Sequence, residues 1–95
     1  MTAHSKLQAS DCVEIAPAFR FRWEESQGAH VLLYPEGVVK LNESAAEILK
    51  RCTGERSVTQ IIADLERQFP GVDLAASVHR FLEVSHDNGW IRVKA

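Results

Sequence analysis

Apolar and polar residues alternate from Phe19 to Glu24: Phe19, Phe21 and Trp23 fall on one side, Arg20, Arg22 and Glu24 on the other. A period of two is that of a β-strand with one face toward a core. "ESQGA" follows as a turn, and "HVLLYP" is a second apolar run closed by Pro35. In "PEG", Pro35 presets φ and Gly37 relieves crowding at the end of the turn. Val38 to Leu41 then reads as a third strand. Three short strands joined by short turns predict an antiparallel meander with the first and third strands at its edges.

The period then changes to that of helices. Asn42 is an N-cap for a helix running to about Arg51 or Cys52, with Ala45, Ile48, Leu49 and Cys52 on one face. Gly54 fits a left-handed stop after it. Ser57 and Gln60 have the spacing of a capping box. The helix they open carries Val58, Ile61, Ile62, Leu65 and Phe69 as an apolar stripe and ends at Pro70–Gly71. Asp73 is a cap for a third helix, with Leu74, Val78, Phe81, Leu82 and Ser85 on its core side. Asn88–Gly89 stops it, and "WIRVK" closes the chain as a strand. Residues 1–16 read as a flexible tail, although "CVEI" is able to add a strand, and Pro17 opens a single domain over 17–95. The predicted class is α+β, winged helix-turn-helix-like: a three-stranded antiparallel meander, three helices and a short C-terminal strand.

The bulk numbers narrow the function. With 95 residues, 45% of them hydrophobic, the chain has enough apolar material for one core. A formal net charge of −2 speaks against phosphate binding. No apolar run approaches the roughly 20 residues that span a bilayer, and the N-terminal segment lacks a signal peptide's apolar stretch, so the cytoplasm is expected. Cys12 and Cys52 are then reduced thiols, with Cys52 a small core residue.

Catalytic chemistry is hard to place. His4 lies in the tail and His30 in a strand, and His79 and His86 sit two helical turns apart, too far for the i, i+4 pair of a helical metal site. Ser44, Ser57 and Ser77 are explained by capping or exposure. The five glycines are scattered singly, so no phosphate-binding loop is present. No catalytic residue, metal or cofactor is expected. A winged-helix nucleic-acid binder is the alternative, but its recognition helix would be "DLAASVHRFLEVSHDNG", with one Arg against Asp73, Glu83 and Asp87.

One side of the third helix is more apolar than a solvated flank requires. Ser77 and Val84 extend the weakly polar arc past Phe81 to one side, and Ser77, Phe81 and Val84 suggest one wall of a groove, with the edge strand Val38–Leu41 as the other. An open strand edge offers unpaired N–H and C=O groups to an extended peptide.

The segment "LYPEGVVKLNESAAEIL", then Cys52, Gly54 and "SVTQIIADL", together with Arg22–Trp23 and the closing "GWI", resembles the PqqD family across Pro17 to Val93. The resemblance implies a non-catalytic peptide chaperone of pyrroloquinoline quinone biosynthesis. Such a protein binds the leader of a precursor peptide and presents it to a radical S-adenosylmethionine enzyme, which cross-links a Glu and a Tyr. It also implies that the leader adds a strand to the third strand and lies against the third helix. On this chain that assigns Val38, Val39, Lys40 and Leu41 to backbone pairing and Ser77, Phe81 and Val84 to the groove. Lys40 and Arg80 would meet acidic leader residues, while Tyr34, Pro35 and Gly37 form the turn. The open edge also allows a homodimer.

Overall fold

The computed structural model of the chain describes residues 7–94. In chain order the elements are β1 (Cys12–Ile15), β2 (Arg20–Glu24), β3 (Ala29–Tyr34), β4 (Gly37–Lys40), α1 (Glu43–Lys50), β5 (Thr53–Ser57), α2 (Val58–Gln68), α3 (Ala75–Asp87) and β6 (Ile91–Val93). This is an α+β fold with antiparallel strands and three helices. β2, β3 and β4 form the meander, in that order, with Arg20 opposite Leu33, Phe21 opposite Leu32, and Leu32 opposite Val39. Leu32 is fully buried, and Phe21 and Val39 pack against the same core, so the core face is the one the alternation predicts.

A second sheet, in the order β5-β1-β6, departs from the reading of residues 1–16 as a tail. β1 is its central strand: Val13 pairs with Val93, Ile15 with Ile91 and Cys12 with Ser57. Val13 is 0% and Leu7 4% exposed, and both belong to the main core. Thr59 donates its backbone N–H to Ala9 O at 3.1 Å, and Val58 to Asp11 O at 2.9 Å. The segment anticipated as a possible added strand, "CVEI", is β1. Residues 1–6 of the expected tail lie outside the described residues. β5, "TGERS", carries no apolar alternation and becomes a strand through pairing with β1, which places Gly54 inside a sheet.

Gly54 has a positive φ, +87°, but it is not the stop of α1, whose C-cap is Arg51; it lies in β5 at a crowded site, where a Cβ would be 2.9 Å from Lys94 Cδ and 3.1 Å from Glu14 Oε1. Both neighbours are flexible side chains, so the backbone conformation sets the cost. Gly54→Ala is expected to lose about 1–2 kcal/mol of stability, read as a lower urea midpoint with an unchanged slope.

The helix boundaries follow local chemistry in two cases and depart from it in two others. Asn42 Oδ1 accepts from Ala45 N at 2.8 Å, capping α1. Ser57 and Gln60 form the full capping box of α2, with Gln60 N donating to Ser57 Oγ at 3.1 Å and Ser57 N to Gln60 Oε1 at 2.8 Å. Asp73 does not cap α3; the helix is entered at Leu74, whose side chain has no acceptor to offer. Phe69 leaves the stripe of Val58, Ile61 and Leu65. It stands at the end of α2 with φ −125° and ψ 69° and is 41% exposed. Pro70 follows it, and a residue before proline is driven out of the helical region, which swings the ring off the buried face.

Arg51 joins the ends of α1 and α2. Its guanidinium donates to Asp64 Oδ2 at 2.5 Å, to the Glu47 carbonyl at 2.7 Å and to Gln68 Oε1. Hydrogen bonds from Lys50 and Arg51 hold the Glu47 carboxyl below its usual range, and the Arg51 bond does the same for Asp64. On α3, buried Ser85 donates its hydroxyl to Phe81 O at 2.8 Å, leaving no unsatisfied donor.

Candidate functional site

Among the described residues β4 is an edge strand of the meander, and its register shows which backbone groups are available. Leu41 donates its N–H to His30 O at 3.0 Å. This continues the ladder in which Lys40 faces Val31, Val39 faces Leu32 and Val38 faces Leu33. Hydrogen-bonded and non-hydrogen-bonded pairs alternate along an antiparallel ladder. Because Leu41–His30 is a bonded pair, so is Val39–Leu32. The amide groups of Val39 and Leu41 therefore belong to the sheet, and those of Val38 and Lys40 point outward. The side chains agree with this division of roles: Leu41 is buried and Val39 packs on the core, whereas Lys40 is exposed and Val38 is 50% exposed.

Immediately after β4 an open groove of about 930 Å³ begins at Asn42. One wall is the exposed face of α1, from Asn42 to Lys50. The other is the first half of α3, through Leu74, Ser77, Val78 and Phe81. Trp23 and His30 close one end from the meander, and Phe69 and Val72 from the α2–α3 turn. The structure thus places Ser77 and Phe81 in a groove, as the sequence suggests, but opposite α1. Val38 to Leu41 do not line it; the strand leads to its mouth. Val84 is 46% exposed and Arg80 is exposed, and both lie on α3 outside the lining.

Trp23, Phe69 and Val72 are lining residues that the sequence reading did not assign. All three are large apolar residues left exposed, and all three converge here. For Phe69 the following proline was the available signal. Trp23 gave none, because its alternation with Phe19 and Phe21 marks it as core. His30 lies between its neighbours, stacked on Phe21 at 5.1 Å and edge-on to Trp23 at 5.2 Å. It thereby fixes the aromatic end of the groove.

No group of three or more His, Cys, Asp and Glu is placed to hold a metal among the described residues. The Cys52 thiol is buried and donates to Ile48 O, and burial pushes its pKa up to about 12, which suits a core residue rather than a nucleophile. No helix is long and apolar enough to cross a membrane among the described residues. What the arrangement can do is hold an extended peptide: main-chain groups at one edge and an apolar groove with a polar rim beside it.

Comparison with known proteins adds to this geometry. The family model for Coenzyme PQQ synthesis protein D (PqqD) matches residues 29–91. The chain is 43% identical over 86 residues to a PqqA binding protein of Methylococcus capsulatus, covering 90% of this chain and 92% of the relative. It is 46% identical over 90 residues to one of Azotobacter vinelandii, covering 94% and 98%. It is 53% identical over 76 residues to one of Pseudomonas fluorescens, covering 79% and 84%. Among solved structures it is similar to the solution NMR structure of the PqqD truncation of Methylobacterium extorquens PqqCD, with TM-score 0.71, 26% identity and coverage of 90% and 94%. That truncation represents a functional and stand-alone recognition element for ribosomally synthesized and post-translationally modified peptides.

Proposed function

The chain belongs to the PqqD family, and on that premise we propose that it is a non-catalytic peptide chaperone of pyrroloquinoline quinone biosynthesis. It binds the leader of the precursor peptide and presents it to a radical S-adenosylmethionine enzyme. Relatives of similar length carry the name PqqA binding protein, and the solved neighbour is a peptide-recognition element. The observation that carries the reading on this chain is the outward amide groups of Val38 and Lys40, beside the groove of α1 and α3. The leader adds as a strand along β4, paired to the backbone of those two residues. It then continues past Asn42 to place apolar side chains against Phe81, Ser77 and the Trp23–Phe69 end. Val84 and Arg80 flank its path on α3. We read the meander and the α2–α3 pair as a winged helix-turn-helix-like unit whose wing edge serves a peptide. A net charge of −2 favours that use over nucleic acid.

Titration of the ¹⁵N-labelled protein with the precursor peptide tests this. The largest amide shifts are expected at Val38, Lys40, Ser77 and Phe81, with β5 and β6 unchanged. Absence of binding, or shifts centred on β5 and β6, would overturn the reading.

A further inference from the structure

The face of the meander turned away from the core is cationic. Leu32, Phe21 and Val39 share the core face, so alternation puts Arg20, Arg22, Val31, Leu33, Val38 and Lys40 on the other. Two cross-strand rows result: Arg20–Leu33–Val38 and Arg22–Val31–Lys40. Arg22 has Glu24 at 3.8 Å, but Arg20 and Lys40 form no ion pair among the described residues. Three exposed cations thus stand around the fully buried Val31, the half-buried Leu33 and the exposed Val38, on a chain whose net charge is −2.

The two residues with outward amide groups, Val38 and Lys40, also have their side chains on this face. A peptide residue hydrogen-bonded to the backbone of either one projects its side chain to the same face, directly beside theirs. The residue between them projects inward, beside Val39. Building on the strand-addition reading above, we infer that Lys40 is a specificity-determining residue. It selects a carboxylate on the added strand, two residues from an apolar side chain that covers Val38, with a further apolar residue between them facing the core side. The preferred ligand class is an extended peptide, added antiparallel to β4, with acidic, apolar and apolar residues in succession from its N-terminal side. Arg22, two strands from Lys40 in the same row and across Val31, adds to the field that favours the acid.

A cross-strand pair of opposite charge is worth about a 1.5- to 5-fold change in affinity, and a like-charge pair costs a similar factor. Lys40→Glu should therefore bind the precursor peptide about 2- to 25-fold more weakly than wild type at low salt. Lys40→Gln should fall between them, and the difference should shrink at 0.5 M salt. In a panel of precursor peptides with each Glu or Asp changed in turn to Lys, one member should bind Lys40→Glu better than it binds wild type. Circular dichroism checks that the folds match. The inference is overturned if Lys40→Glu binds the parent peptide as wild type does, or if no member of the panel restores binding. It is equally overturned if the charge swap is found with Arg80→Glu instead, which would put the carboxylate on the α3 side. Val38→Pro run in parallel separates this from the underlying reading: normal binding by that variant removes strand addition itself, whereas lost binding with no Lys40 swap removes only the code.

Discussion

Val38→Pro is expected to keep the fold and to bind the precursor peptide more weakly by on the order of tenfold or more, while Val39→Pro is expected to lose the fold. The two residues are neighbours with similar side-chain chemistry, and the difference lies in where their amides point. Val38 N–H faces away from β3, so a proline ring at that position takes a donor from the incoming peptide and nothing from the sheet. Val39 N–H belongs to the bond with Leu32, a fully buried residue. Removing it strands a buried carbonyl, a cost of about 1–3 kcal/mol, and forces the ring against β3. Circular dichroism and peptide titration of both variants read the outcome. Two folded variants that bind as the parent does would exclude strand addition at this edge.

Leu65→Ala is expected to cost about 2–5 kcal/mol, a large part of the 5–15 kcal/mol available to a domain of this kind. Leu65 is 3% exposed in the main core, and cutting it to alanine leaves a cavity between α2 and its surroundings. Phe69→Ala, one helical turn on, is expected to do the opposite. Its ring is at the groove, so stability should change little and affinity for the peptide should fall. Urea denaturation beside peptide titration separates the two. A large stability loss for Phe69→Ala with unchanged binding would return it to the core.

That pair shows what an apolar stripe can and cannot establish. Leu65 and Phe69 have the spacing of one helical face, and for Leu65 the spacing suffices. For Phe69 the backbone torsion imposed ahead of Pro70 outweighs the period. Trp23 shows the same limit in a strand: its alternation is regular, but the ring is half exposed and lines the groove instead of filling the core.

Local chemistry alone determined the meander with its turns, the Asn42 cap, the Ser57–Gln60 capping box and the order of the three helices. Each rests on contacts between residues close in sequence, where periodicity and capping act directly. The second sheet was decided by tertiary structure. "TGERS" has no strand pattern of its own, and the ladder exists because β1 lies between β5 and β6, segments far along the chain. The site divides in the same way. That Val38 to Leu41 forms an edge strand was legible, since alternation and the "PEG" turn define it. Which of its amides face outward was not, because side-chain period is the same for either set. Only the register against β3, anchored by Leu41 and His30, assigns Val38 and Lys40 to the open edge.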